Sequence, residues 1–238
     1  QRGAYRDTAK IRSVMLPRIL VAIIVLVTIG CATAPTDRGQ SISDSEAAWQ
    51  QQQSALDSFT QWKMAGRIGL RTADSGATAN LRWRRTERGD QIYLFGLLGG
   101  GKVQLDITDR KVELRDAKGQ VSTGTDVTAL LYQVTGWHVP FDSLDNWLRG
   151  LPASGDYDSI EIDRDGRLVH LHQAGWQILY DEFMSVGNLT LPKRIQLIAQ
   201  PKTIEALVST GHLLGDRLAL KIFVENWQIS LSKQVSSQ

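Results

Sequence analysis

Side chains able to do chemistry are sparse in this sequence and stand apart from one another. His170 and His172 lie two apart in an alternating stretch, so they share one strand face and could together grip a metal ion. Alternation with Val169 and Leu171 makes that the wet face, and the sequence offers no obvious Cys, His or close acidic cluster as a third ligand. His138 and His212 sit among turn residues, and no serine stands in a G-x-S-x-G setting, so a hydrolytic triad has no support. Glu161, Asp163 and Asp165 come nearest to paired catalytic carboxylates, yet the first two alternate with Ile160 and Ile162 as a solvated strand face does, and nothing in their spacing selects them. The glycines of Gly96-Leu97-Leu98-Gly99-Gly100-Gly101 lack the G-x-x-x-x-G-K-[ST] pattern and run into an alternating strand instead of a helix, which argues against a phosphate cradle.

The more specific chemistry is at the only cysteine, Cys31. It follows Arg18, an apolar run from Ile19 (ILVAIIVLVTIG) and Gly30, and precedes a polar tract with Thr33, Pro35, Asp37 and Gly39. The run is about 11 residues long, within the roughly 7 to 15 of a signal-peptide core and short of the roughly 20 a membrane-crossing helix needs. The layout predicts a lipoprotein signal: residues 1–30 form the leader, with translation starting at Met15, and the thiol and new amine of Cys31 receive diacylglyceryl and N-acyl groups. No other cofactor is expected. A short membrane anchor, or a buried helix with an incidental cysteine, is the competing view, and Thr28 stands where a lipobox usually has Leu or Val. Ala32 rather than Asp after the cysteine resembles the outer-membrane sorting pattern, so the expected location is the outer membrane, lipid-anchored and facing the periplasm. A formal net charge of +2, with 22% charged residues of both signs, suggests no basic face for nucleic acid.

The remaining chain reads as a tether, 31–42, and one domain, 43–238. Ser43 to Glu46 has capping-box spacing and opens a helix on which Trp49, Leu56 and Phe59 share one side. Period-two alternation then takes over: Trp62, Met64, Ile68 and Leu70 against Lys63, Arg67 and Arg71, and Ala79, Leu81 and Trp83 against Asn80, Arg82 and Arg84. Short turns join these strands to 92–95, 102–108 and 111–115, and Asp126–Val134 and Ser143–Arg149 form an apolar helical pair ending at Gly136 and Gly150. Strands return at 159–163, 167–173, 176–183, 192–200 and 217–230. The class is mainly β (α+β): an antiparallel sheet with helices on one face. At the glycine-rich tip Leu97 and Leu98 cannot both enter one core; either at least one is an exposed probe for a membrane or partner, or both fold back over the open end of the sheet.

Several motifs carry a resemblance: G-R-I-G-L at Gly66–Leu70, L-R-W at Leu81–Trp83, L-L-G at Leu97–Gly99, W-L-R-G-L-P at Trp147–Pro152, G-W-x-I-x-Y at Gly175–Tyr180, L-P-x-R at Leu191–Arg194 and N-W at Asn226-Trp227. Together with the lipoprotein signal and Trp49, this pattern resembles the outer-membrane lipoprotein receptor LolB family over nearly all of residues 45–229. It departs at Leu97, where the family's tip often has proline, and at Pro201–Asp216, which looks like additional sequence without an assigned role. The resemblance implies a half-open antiparallel barrel of about 11 strands with helices covering a concave apolar face. It implies a monomer that takes lipoproteins from a soluble LolA-like periplasmic carrier and places them in the inner leaflet of the outer membrane, without catalysis. It also implies that Leu97, Leu98 and Gly99 form a membrane-insertion loop, and it points to Ile68, Leu70, Trp83, Leu105, Trp147 and Trp176 as candidates to contact acyl chains. A purely structural or assembly lipoprotein that binds protein partners, or an envelope hydrolase, are the competing functions.

Overall fold

A computed structural model describes residues 42–97 and 101–230. The leader, Cys31 and the rest of the expected tether as far as Ser41, and Leu98 and Gly99, therefore lie outside the described residues, as does the side chain of Leu97.

The opening helix α1 (Ile42–Asp57) leads into β1 (Gln61–Thr72), β2 (Gly76–Thr86), β3 (Gly89–Leu97), β4 (Gly101–Thr108), β5 (Lys111–Arg115) and β6 (Val121–Gly124). Helices α2 (Val127–Thr135) and α3 (Phe141–Arg149) follow, then β7 (Ser159–Ile162), β8 (Leu168–Gln173), β9 (Trp176–Val186) and β10 (Leu189–Ala199). Helix α4 (Pro201–Ser209) and β11 (Leu218–Ser230) complete the described part. The strands form one antiparallel sheet in the order β6-β5-β4-β3-β2-β1-β11-β10-β9-β8-β7. The first strand thus pairs with the last, Trp62 opposite Ile229 and Thr72 opposite Leu218, and β6 and β7 are the free edges. Helices α2 and α3 make the connection between those edges and cover the apolar face.

Alternation explains the core. Trp62, Met64, Ile68 and Leu70 are buried while Lys63, Arg67 and Arg71 are exposed, and the same holds for Leu81 and Trp83 against Arg82 and Arg84. The α1 stripe also holds: Trp49, Leu56 and Phe59 are all buried. Gly66 sits at the bulge where β1 meets β11, and a Cβ there would stand 2.2 Å from the Phe223 carbonyl oxygen, so only glycine lets the two strands close at this point. The described residues carry one contiguous apolar core.

Besides strand bounds that shift by up to three residues, as at the starts of β3 and β10, three elements differ from the sequence expectation. Strand β6 was missed because Val-Ser-Thr-Gly has no apolar alternation; its pairing with β5 defines it. Helix α3 begins at Phe141, two residues before Ser143, with Pro140 as its N-cap: the Pro140 carbonyl accepts from the Ser143 and Leu144 amides at 3.3 and 3.1 Å, and no side-chain cap is made. The additional segment after Gln200 contains α4, again opened by a proline.

Candidate functional site

The α2–α3 cover is built by ordinary helix punctuation. Asp126 accepts a hydrogen bond from the Ala129 amide at 2.9 Å, and both helices end at left-handed glycines, Gly136 and Gly150. Between this cover and strands β1–β4 lies a cavity of about 20 Å³, lined solely by apolar side chains: Ile68, Leu81, Trp83, Ile92, Leu94 and Leu105 from the sheet, and Leu131, Trp137, Val139, Phe141 and Leu144 from above. That is room for about one water-sized sphere. The hollow expected from the family resemblance is therefore closed, because the cover's five large side chains fill it.

Two different devices hold the cover down. On the side of β8 and β9, Trp147 is fully buried and donates from Nε1 to Gln173 Oε1 at 2.9 Å, while the Tyr180 hydroxyl donates to the Trp147 carbonyl at 3.0 Å. Gln173 is saturated: its Oε1 also accepts from the Ala153 amide at 2.8 Å, and its Nε2 donates to the Ala153 carbonyl at 2.9 Å. Burial pushes the Tyr180 pKa up, so its hydroxyl is a permanent donor.

On the other side the attachment is ionic. Arg85 on β2 forms an ion pair with Asp145 of α3 and a bidentate one with Asp90, at 2.8 and 2.7 Å, and Trp83 Nε1 donates to the same Asp90 at 2.8 Å. Burial works to lower the Arg85 pKa, but the hydrogen bonds and charges of Asp90 and Asp145 outweigh it and raise it above the ordinary value. Arg149, one turn beyond Asp145, donates to Asn146 Oδ1 at 2.7 Å and to the Leu56 carbonyl at 3.3 Å, which ties α3 to α1.

Of the six sequence candidates, Ile68, Trp83 and Leu105 line the cavity; Leu70, Trp147 and Trp176 do not. Leu70 and Trp176 are buried but lie outside that lining, and Trp147 serves as a fixing point for the cover. Leu81 was signalled by the same alternation as Trp83, and Ile92 and Leu94 only as members of the 92–95 strand, whereas Trp137 and Val139 lie in a connection where periodicity assigns no face. Leu97 ends β3 and is paired with Gly101 across the tip.

Among the groups weighed for chemistry, His170 and His172 do share a face, with rings 4.9 Å apart, and each meets a glutamine, Gln177 at 2.8 Å and Gln200 at 3.3 Å. The sequence reading missed an acidic neighbour: Glu161 lies opposite His170 on β7, 3.6 Å from its Nδ1. Among the described residues no group of three or more His, Cys, Asp or Glu is placed to hold a metal. Burial and nearby His212 lower the pKa of His138 against the opposing pull of Asp126. The near-neutral total charge also concealed a segregation: Arg67, Arg71, Arg194, Arg217 and Lys221 gather on the outer face of the sheet.

Comparison with known proteins places this geometry. The family described as outer membrane lipoprotein LolB matches residues 60–227. The LolB of Alkalilimnicola ehrlichii is 32% identical over 80% of this chain and 94% of its own, and that of Nitrosococcus oceani 32% identical over 89% and 96%. Among solved structures, the LolA superfamily protein NE2245 from Nitrosomonas europaea aligns over 82% of this chain and 97% of its own at 9% identity, with a TM-score of 0.45. With the family match spanning the strands that line the cavity and the helices that cover it, the chain belongs to the LolB family of outer-membrane lipoproteins.

Proposed function

We propose that this protein is an outer-membrane lipoprotein receptor that accepts the acyl chains of lipoproteins from a soluble LolA-like periplasmic carrier and passes them to the inner leaflet of the outer membrane. The observation that carries the proposal is the wholly apolar cavity between the sheet and its two-helix cover, in a chain of the LolB family. In the closed form described above the cavity is too small for an acyl chain, so receipt of cargo requires the cover to swing away from β1–β4. Opening exposes Leu131, Trp137, Val139, Phe141 and Leu144, and an incoming chain re-covers the sheet with a gain of about 0.8 kcal/mol per buried methylene. An exchange of apolar contacts needs no catalytic group and no nucleotide, and direction follows from relative affinities among carrier, receptor and bilayer. Acylation of Cys31 would hold the receptor at its destination, and Leu98 would enter the membrane at the tip.

The test is transfer: residues 40–238 are mixed with a LolA-like carrier loaded with a lipoprotein, and cargo is followed from one to the other. Transfer to the receptor supports the proposal; cargo that stays on the carrier sinks it. Leu98→Glu is expected to keep acceptance and lose delivery to vesicles, and normal delivery would remove Leu98 from the mechanism. A closed interior is also what an assembly lipoprotein with protein partners only would have. Uptake of a fluorescent fatty acid separates the two, because a permanently filled core takes up none.

A further inference from the structure

The segment Gln200–Arg217, which the proposed function leaves unused, builds a second apolar projection at one end of the sheet. Strand pairing fixes which end. Thr72 at the close of β1 faces Leu218 at the start of β11, Arg71 faces Gly76 at the start of β2, and Asn80 faces Phe95 near the end of β3. The ends of β1, β3 and β10 and the starts of β2, β4 and β11 therefore share one rim, and α4 with its following loop crosses it between β10 and β11.

That loop is held in place. The amides of His212 and Leu213 donate to the Leu207 carbonyl at 2.8 and 3.2 Å, and Leu213 is buried. Gly215, at a φ of +91°, packs so closely on the β1–β2 turn that a Cβ would come within 2.6 Å of Ala73 Cβ. With both neighbours anchored, Leu214 points outward and is 81% exposed, the most exposed of the large apolar side chains described. Held in this way, the Leu214 side chain is free to meet an apolar surface outside the domain.

Beside this rim the outer face of β1, β2, β10 and β11 holds a depression of about 910 Å³ lined by Arg67, Arg71, Arg194, Arg217 and Lys221 and by no acidic residue. Arg67 and Arg194 are paired with Glu225 and Glu182, whereas Arg71, Arg217 and Lys221 have no ion-pair partner among the described residues. A fixed leucine at the rim of a face that carries unpaired cations matches a bilayer surface, apolar below and phosphate-bearing at the headgroups. We infer that this rim is a membrane-docking surface: Leu214 enters the acyl region while Arg71, Arg217 and Lys221 engage the phosphates of anionic lipids. The α2 cover meets the same loop, Tyr132 lying edge-on to His212 at 4.7 Å, so docking here brings the cover to the membrane.

This rests on the receptor reading for its purpose but is tested separately, with residues 40–238 and vesicles of phosphatidylglycerol and phosphatidylethanolamine or of phosphatidylcholine alone. Co-flotation with the anionic vesicles at low salt, lost in high salt, is expected. Leu214→Ser is expected to weaken partitioning roughly ten-fold, the worth of one leucine returned to water. Arg71→Ala with Arg217→Ala and Lys221→Ala is expected to weaken it roughly a hundred-fold at low salt, while Val121→Ser, an exposed residue on β6, leaves it unchanged. Unchanged binding by Leu214→Ser, equal binding to phosphatidylcholine, or capture of polyglutamate without capture of vesicles would each overturn the inference. The same variants are assayed for fatty-acid uptake. A protein that binds anionic vesicles through Leu214 yet takes up no acyl chain would sink the receptor reading and leave the docking surface standing.

Discussion

The two halves of the sheet are covered by the same pair of helices but hold them in different ways. Over β7–β11 the cover is stitched by directional bonds: Trp147 to Gln173, Tyr180 to the Trp147 carbonyl, and Gln173 to Ala153. Over β1–β6 the hydrogen bonds of α2 and the α2–α3 connection stay within that segment, apart from the 3.4 Å bond of the Tyr132 hydroxyl to the Gly211 carbonyl, among the described residues. There the cover rests on apolar contact around a small cavity and on the Arg85 ion pair at its corner. Apolar contact is non-directional and can be replaced by another apolar surface, whereas a saturated buried amide has no substitute partner in a lipid tail. For the opening proposed above, the difference puts the hinge on the β8–β9 side and the gap on the β1–β4 side.

The largest expected effect strikes the hinge. Trp147→Ala removes a fully buried indole and one of the hydrogen bonds to Gln173, and should cost about 4 kcal/mol of a total stability on the order of 10 kcal/mol. Leu131→Ala, in the cover above the cavity, should cost about 2 kcal/mol, because it enlarges a space that already exists. Urea unfolding of both variants measures the contrast, and equal losses would abolish the distinction between a fixed and a releasable side.

A smaller effect is expected at the ion pair. Arg85→Met leaves Asp145 with Arg149 and Asp90 with the Trp83 indole, so the loss should be about 2 kcal/mol, below the range for a fully buried pair with no remaining partners. Its signature should be local. Amide exchange should accelerate in the first turn of α3, at Phe141–Leu144, and fatty-acid uptake should quicken, while the Trp147 end keeps its protection. Acceleration spread evenly along α3 would mean that the cover has no hinge.

The sheet itself was legible because its alternation is strict: each of Ile68, Leu81 and Trp83 is flanked by exposed or half-buried neighbours. Position along the sheet was not. Leu70 and Trp176 have the inward facing of cavity residues, but which inward residues lie under the cover depends on the β1–β11 pairing of opposite chain ends, and periodicity carries no information about such distant partners. The Arg85–Asp145 pair escaped for the same reason, although Asp145 and Arg149 show the helical i,i+4 spacing. The basic depression was hidden differently. A net charge of +2 is a sum, and it conceals that cations from β1, β10 and β11 converge on one face. Likewise the tip leucines were conspicuous beside their glycines, while the second Leu-Leu-Gly, at Leu213–Gly215, stood in a segment to which the sequence assigned no role.

The finest test of the two-sided cover uses protons. His138 lies in the α2–α3 connection, half-buried, with its pKa lowered by burial and by His212 and partly restored by Asp126. A histidine whose folded pKa lies below its unfolded value near 6.5 is neutral in both states at higher pH and contributes no pH dependence there. As pH falls through 6.5 the unfolded chain takes up a proton that the folded one resists, so stability declines until the lowered folded pKa is passed, after which the penalty is constant. His138→Asn should therefore flatten the drop in Tm between pH 7.5 and 5.5 relative to the parent. Amide protection factors around Trp137–Phe141, which allow for the slower intrinsic exchange in acid, should also fall more in the parent than in the variant, and the Trp147–Gln173 contact should be unaffected. A variant with the same or a steeper acid slope would show that the connection over β1–β4 is held no more loosely than the stitched side.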